Sequence, residues 1–168
     1  NFSEQSGQYA NGLHSLAVSY DLSAEYSLAE PLFKQVLLIK KSALGEQHRS
    51  YANSLRSLGL MYRHSGQPSL ALPCLQESME IRKRALGEQH PHYAQSVSNL
   101  AFLYLSTGEQ HSAQPLFRLA ARTHRQKLDL NSAVQSARQQ KLDESSHRHF
   151  LDWQLTSSLE ADVGAPVA

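Results

Sequence analysis

Apolar and small residues recur three and four positions apart through most of this chain. Ala52, Leu55, Leu58, Gly59 and Tyr62 fall on one helical face. From Ser69 to Ala85, Leu70, Ala71, Cys74, Leu75, Ser78, Met79 and Ile81 keep the same period and predict a second helix. No segment shows the alternation of a strand. The pattern also repeats as a whole. Tyr9-Ala10-Asn11 returns as Tyr51-Ala52-Asn53 and again as Tyr93-Ala94-Gln95, always 42 residues on. Pro31, Pro73 and Pro115 keep that step, as do Tyr20, Tyr62 and Tyr104. Residues 9–50 and 51–92 share 20 identities in 42 positions; 51–92 and 93–134 share 9, the tyrosines and prolines among them. A helix pair is therefore the unit, and it is used three times.

Punctuation within the unit follows the same register. Gly66 and Gly108 mark the turn between the two helices, and Ala24 stands there in the first unit, which predicts a looser turn. Gly45 and Gly87 sit where a helix end favours positive φ. Lys40-Lys41 and Arg82-Lys83-Arg84 lie in the preceding turn and suit the negative end of the helix dipole. Pro91 suits a first helical turn. The prolines at 31, 73 and 115 fall near the start of each second helix; a first-turn position tolerates them, and a deeper one removes a hydrogen bond.

The third unit departs from the others. Ala-Leu-Gly-Glu-Gln-His occurs at 43–48 and 85–90, but residues 129–133 read Asp-Leu-Asn-Ser-Ala. A further helix is expected there, with Ala133, Val134, Ala137 and Leu142 on one face and polar residues between, as a solenoid cap requires. The expected organisation is a flank over 1–8, repeats over 9–50, 51–92 and 93–131, capping helices over 132–160 and a frayed tail over 161–168. Asn1 in place of methionine predicts a piece of a longer chain.

Composition narrows the function. Sixteen Lys+Arg against 15 Asp+Glu give a net charge of +1, with no basic cluster to suggest nucleic acid. The apolar runs are too short for a membrane span, and no secretory leader is visible. A single cysteine, Cys74, forms no intrachain disulfide, which fits a cytoplasmic setting. Cys74 occupies an apolar-periodic position and reads as core rather than nucleophile. Among nine histidines the closest pairs are His90-x-His92 and His147-x-His149. Residues two apart on a helix point to different faces, so no metal site is expected. No phosphate loop or catalytic constellation appears, so neither enzyme nor cofactor is predicted.

These residues carry a resemblance. Leu16-Ala17-x-x-Tyr20, Leu58-Gly59-x-x-Tyr62 and Leu100-Ala101-x-x-Tyr104 resemble the first-helix signature of tetratricopeptide (TPR) repeats. Ala29-x-x-x-Phe33, Ala71-x-x-x-Leu75 and Ala113-x-x-x-Phe117 resemble the second-helix signature. The 42-residue step and Leu-Gly-Glu-Gln-His-Pro at 86–91 are similar to the kinesin-light-chain and nephrocystin type. The resemblance implies an all-α, right-handed solenoid of three helix pairs with a C-terminal cap. It also implies a scaffold that binds a protein or peptide partner on its concave face. The family's register places Asn11, His14, Ser15 and Val18 there from the first unit. Asn53, Arg56, Ser57, Leu60 and Arg63 come from the second, and Gln95, Ser98, Asn99 and Phe102 from the third. Asn11, Asn53 and Asn99 would hold a peptide backbone through their amides; Ser15 and Ser57 stand where Asn99 stands, which leaves that clamp incomplete. Arg56, Arg63 and His64 favour an acidic partner.

Two alternatives accompany this expectation: self-association through the repeat ends, and a regulatory arm of a larger protein. For the latter, residues 133–160 loosely resemble the segment joining such repeats to CHAT peptidase domains, through Ala133-Val-Gln-Ser, Arg138-Gln-Gln and His149-x-Leu-Asp-Trp. Leu151-Asp152-Trp153-Gln154 also resembles the Leu-acidic-Trp core of peptides that kinesin-light-chain arrays bind, and reads either as a tethered pseudo-ligand or as an aromatic that packs the tail.

Overall fold

The computed structural model describes the backbone of residues 2–163 and the side chains of 6–126 and 128–142. The described residues form six α-helices: α1 (Phe2–Leu22), α2 (Tyr26–Leu44), α3 (Arg49–His64), α4 (Pro68–Leu86), α5 (Pro91–Ser106) and α6 (Gln110–Val163). Three helix pairs result, α1/α2, α3/α4 and α5 with the start of α6. The chain divides into two compact units, Asn1–Gln126 and Lys127–Ala168.

In the first unit the repeated signature positions build one continuous core. Ala17, Phe33, Leu58, Met61, Tyr62, Leu75, Leu100 and Leu103 are buried together, drawn from all three pairs. Burying a Leu or Phe side chain is worth about 1.5–3 kcal/mol, so it is the core shared between neighbours that stabilises each pair. Two smaller clusters sit within the second and third pairs, one of Tyr51, Ala52, Leu55 and Ile81, the other of Tyr93, Ala94, Val97 and Ala120, and Leu37 and Met79 of the preceding pairs pack against them.

The turns inside the units share one geometry. Gly66 and Gly108 take positive φ, and so does Ala24, at +59°. Glu25, Gln67 and Glu109 each donate their N–H to the carbonyl of Tyr20, Tyr62 and Tyr104, at 2.8 Å in every case. This six-residue closure satisfies the last carbonyls of the first helix. The turn at Ala24 is therefore not looser; alanine is held in a glycine conformation.

Between units, Gly45 and Gly87 adopt φ +84° and +82° with ψ 160° and 162°. That region is open essentially to glycine alone. After each glycine a histidine caps the next helix: His48 Nδ1 accepts from the Ser50 N–H, and His90 Nδ1 from the His92 N–H, both at 3.1 Å. The repeated histidine is thus an N-cap. The prolines lie deeper than a first turn, as the sixth residue of α2, α4 and α6, so each denies an N–H to the carbonyl four residues earlier.

Two element boundaries differ from the sequence reading. Helix α1 already starts at Phe2, and no turn separates a new helix at 129–133. Residues 129–133 carry neither the glycine that ends a helix at 45 and 87 nor the capping histidine that starts one at 48 and 90, so α6 runs on to Val163. Within the second unit, Ala133, Val134, Ala137 and Leu142 are all exposed. Residues 164–168 and the side chains of Leu151–Gln154 lie outside the described residues.

Candidate functional site

The first helices lie together on one side of the first unit. The backbone of α1 approaches α3 and that of α3 approaches α5, whereas those of α2 and α4 stay apart among the described residues. The stack is therefore tighter along α1, α3 and α5, and that side is the inner face. Once Ala17, Leu58, Tyr62, Leu100 and Ala101 are committed to the core, positions three, four and seven apart remain as one stripe on each first helix.

The predicted residues divide into those that face outward and those that hold the stripes together. Asn11, Ser15, Asn53 and Gln95 are exposed, and so is Phe102, which packs edge-on against Phe117 at 5.0 Å between ring centroids. Val18 and Leu60 are half-buried against the main core. Ser57 is buried; its hydroxyl meets the Asn53 carbonyl at 3.2 Å and His14 Nε2 at 3.4 Å, which ties α1 to α3. His14 stacks edge-on to Phe33 at 5.5 Å. Arg63 Nη2 reaches His64 Nε2 at 3.2 Å, and His64 Nδ1 pairs with the Asp21 carboxylate at 3.0 Å. The His64–Asp21 pair offsets positive charge at that edge of the face.

Arg56, Ser98 and Asn99 are half-buried on this face. Arg56 Nε, Asn99 Nδ2 and His14 Nδ1 are buried atoms without a hydrogen-bond partner. Such atoms are uncommon in folded proteins, because an unpaired buried polar group costs about 1–3 kcal/mol. All three belong to residues that the sequence assigns to a ligand.

The electrostatics rest on two residues that sequence reasoning placed elsewhere. Lys40 and Arg82, read as cations serving helix ends, turn inward and are 7% and 2% exposed. Lys40 Nζ donates to Ser54 Oγ at 3.0 Å. Arg82 donates from Nη1 to Ser96 Oγ at 2.9 Å and the His92 carbonyl at 3.0 Å, and from Nη2 to Asn53 Oδ1 at 2.6 Å. It is Lys41 and Lys83 that serve the helix ends, paired with Glu46 and Glu88. The signal was present in the repeat: Lys40 and Arg82 are one step apart, as are their serine partners.

Among the described residues no carboxylate pairs with Lys40, Arg56 or Arg82. Burial lowers the pKa of Lys40 and of Arg56. Burial, with Arg56 nearby, brings Arg82 down to about 10. His14, desolvated and facing Lys40 and Arg56, falls from 6.5 to about 4 and is neutral at physiological pH. Lys40 and Arg82 are thus buried against α3 and α5 and Arg56 is half-buried on the inner face, with no carboxylate paired to any of the three among the described residues. Chemically the face can accept negative groups and backbone carbonyls. No group of three or more His, Cys, Asp or Glu that could hold a metal occurs among the described residues, and no helix there is long and apolar enough to cross a membrane.

Comparison with known proteins agrees with the helix-pair fold. The tetratricopeptide repeat family model matches residues 8–84 and 52–126. None of the curated proteins matches. Among solved structures, BtubC (BKLC) from P. vanneervenii superposes with a TM-score of 0.66 at 22% identity, over 70% of this chain and 46% of that one. The kinesin-light-chain TPR-like repeat protein of Podosopora anserina superposes at 0.62 with 26% identity, over 70% of this chain and 56% of that one. A substituted form of the same fungal protein gives 0.64 and 26%, over 71% and 57%. The chain thus spans about half the length of these structures. Repeats of this kind mediate protein–protein interaction. Matched in family model, 42-residue step and helix-pair geometry, the chain belongs to the tetratricopeptide repeat family, with repeats of the kinesin-light-chain type.

Proposed function

We propose that this chain is a non-catalytic interaction module that holds an acidic, extended segment of a partner protein against the face of α1, α3 and α5. The observation that carries the reading is the set of uncompensated cations, Lys40, Arg56 and Arg82, beside the unpartnered Arg56 Nε and Asn99 Nδ2. A carboxylate beside Arg56 would form a charge-assisted hydrogen bond. The Asn99 amide would donate to a peptide carbonyl. Val18, Leu60 and Phe102 would supply the apolar contacts.

Catalysis is not part of this reading. Burial pushes the Cys74 thiol up to about 11, which leaves almost no thiolate at neutral pH. The test is binding to an array of random and acid-rich peptides, with Leu151–Gln154 in its flanking sequence included. Arg56→Glu and Asn99→Ala are each expected to weaken the selected peptides at least about tenfold, the effect of one charge-assisted hydrogen bond. Binding that neither variant changes would contradict the reading.

Self-association is the second reading, and one observation favours it. Tyr9 and Leu16 are 57% and 44% exposed, while their repeat counterparts Tyr51 and Leu58 are 8% and 4% exposed against the preceding pair. The α1 surface is thus shaped to receive a helix pair. On this reading the mass measured by light scattering rises with concentration, and Tyr9→Glu abolishes the rise.

A further inference from the structure

A second basic feature lies where α3, α4 and α5 meet. Arg49, Asn53, Arg82, Leu86, His90 and His92 line a cavity of about 180 Å³, several times the ~30 Å³ share of one water molecule. No acidic residue lines it. Arg82 forms its inner wall and is held there by Asn53 Oδ1, Ser96 Oγ and the His92 carbonyl, all neutral acceptors. Neutral acceptors offset only part of the desolvation cost of a buried guanidinium, and its charge has no anionic partner here. Arg49 stands in the first turn of α3 and His92 in the first turn of α5, so the positive ends of two helix dipoles add to the same field. The first-turn amides are already engaged: His90 Nδ1 accepts from the His92 N–H, and the carbonyl of His90 accepts from Tyr93 and Ala94. Recognition here falls to side chains. The His90 and His92 rings lie 5.1 Å apart.

The repeat supplies an internal comparison. One step earlier, Arg49, Arg82, His90 and His92 correspond to Gly7, Lys40, His48 and Ser50. Four basic side chains at the second junction thus stand against two at the first. One step later, Arg49 and Arg82 correspond to Pro91 and His124. The basic lining therefore belongs to one junction and is no general requirement of the fold, since the first junction forms the same helix packing without Arg49 or His92. A planar carboxylate is satisfied by one guanidinium fork. Two guanidiniums and two imidazoles arranged around a cavity match a tetrahedral dianion, which offers more acceptor oxygens and twice the charge.

We infer that the α3/α4/α5 junction is a phosphate-class oxyanion site, formed by Arg49, Arg82, His90 and His92, that takes either free phosphate or a phosphorylated side chain of a partner. Arg82 and Asn53 are shared with the inner-face reading, whereas Arg49, His90 and His92 are not, so a phosphate titration read at those three residues is distinguishable from the array experiment. Inorganic phosphate is titrated into the 168-residue chain at constant ionic strength, with amide and imidazole NMR shifts as the readout. Saturable shifts are expected at Arg49, His90 and His92, with those at His48 and Ser50 small. The double variant Arg49→Ser with His92→Ser replaces the two basic residues that the first junction lacks by small neutral ones, serine being what stands at Ser50 there. It is expected to weaken phosphate at least about tenfold while leaving the thermal midpoint within a few degrees of the parent. A parallel titration with O-phosphoserine separates the two sources: tighter binding than inorganic phosphate identifies a phosphorylated partner, and weaker binding identifies the free ion. Absence of saturable shifts in the parent chain, or equal affinity in the double variant, would overturn the inference.

Discussion

Ala24 concentrates local backbone strain. An L-residue in the left-handed region costs roughly 1–2 kcal/mol, and glycine occupies the matching place at 66 and 108. Ala24→Gly is expected to stabilise the chain by about 1 kcal/mol in urea unfolding. Gly87→Ala, forced to φ +82° with ψ 162°, is expected to cost about 1–3 kcal/mol. The sequence showed where these turns lie, because Ala24, Gly66 and Gly108 stand one repeat step apart. It did not show that alanine would be bent to the glycine geometry, because that choice is made by the core on either side of the turn. His14 carries the pH dependence at this scale. Its folded pKa of about 4 lies below the unfolded 6.5, so the unfolded chain binds the proton first. The associated stability is complete above pH 6.5 and is lost as pH falls toward 4. Between about pH 7.5 and pH 5 the parent chain is expected to lose about 1–2 kcal/mol more than His14→Gln, after allowance for partial solvent access. Equal losses in the two proteins would show that folding leaves the His14 pKa unchanged.

The elements were largely legible, because one face of each helix repeats its apolar spacing and each end repeats its stop signal. The long α6 was not. Its sequence suggested two helices on the precedent of the first two units, but a helix stops where something stops it, and 129–133 holds no residue that does. Lys40 and Arg82 were misplaced for a related reason. Cations near a helix C-terminus usually serve the dipole, and only packing distinguishes the inward Lys40 and Arg82 from the outward Lys41 and Lys83, which pair with Glu46 and Glu88. The histidines preceding α3 and α5 invite a test at this scale. Removal of an N-cap costs about 1 kcal/mol, so His48→Ala is expected to lower stability by that amount, and His48→Asn to restore most of it. Unfolding curves that do not separate the three proteins would show that the Ser50 N–H has an equally good partner in water.

In the first unit the three pairs share one core, so neighbouring pairs are expected to unfold together rather than singly. The same stacking places α1, α3 and α5 side by side and draws residues far apart in sequence, such as His14 and Ser57, into one surface. The candidate residues were chosen through the register of the repeat, since most positions the core does not use must face elsewhere. What the register could not give is charge compensation: that Arg56, Lys40 and Arg82 have no carboxylate opposite them depends on which side chains turn inward. The most direct test of the central claim is chemical-shift mapping of the best array peptide on the isotopically labelled chain. The account predicts perturbed amides and side chains along the stripes of α1, α3 and α5, strongest around Arg56 and Asn99, with α2 and α4 quiet on their outer surfaces. Perturbations centred on the outer surfaces of α2 and α4, or on the exposed Tyr9–Leu16 surface, would contradict it.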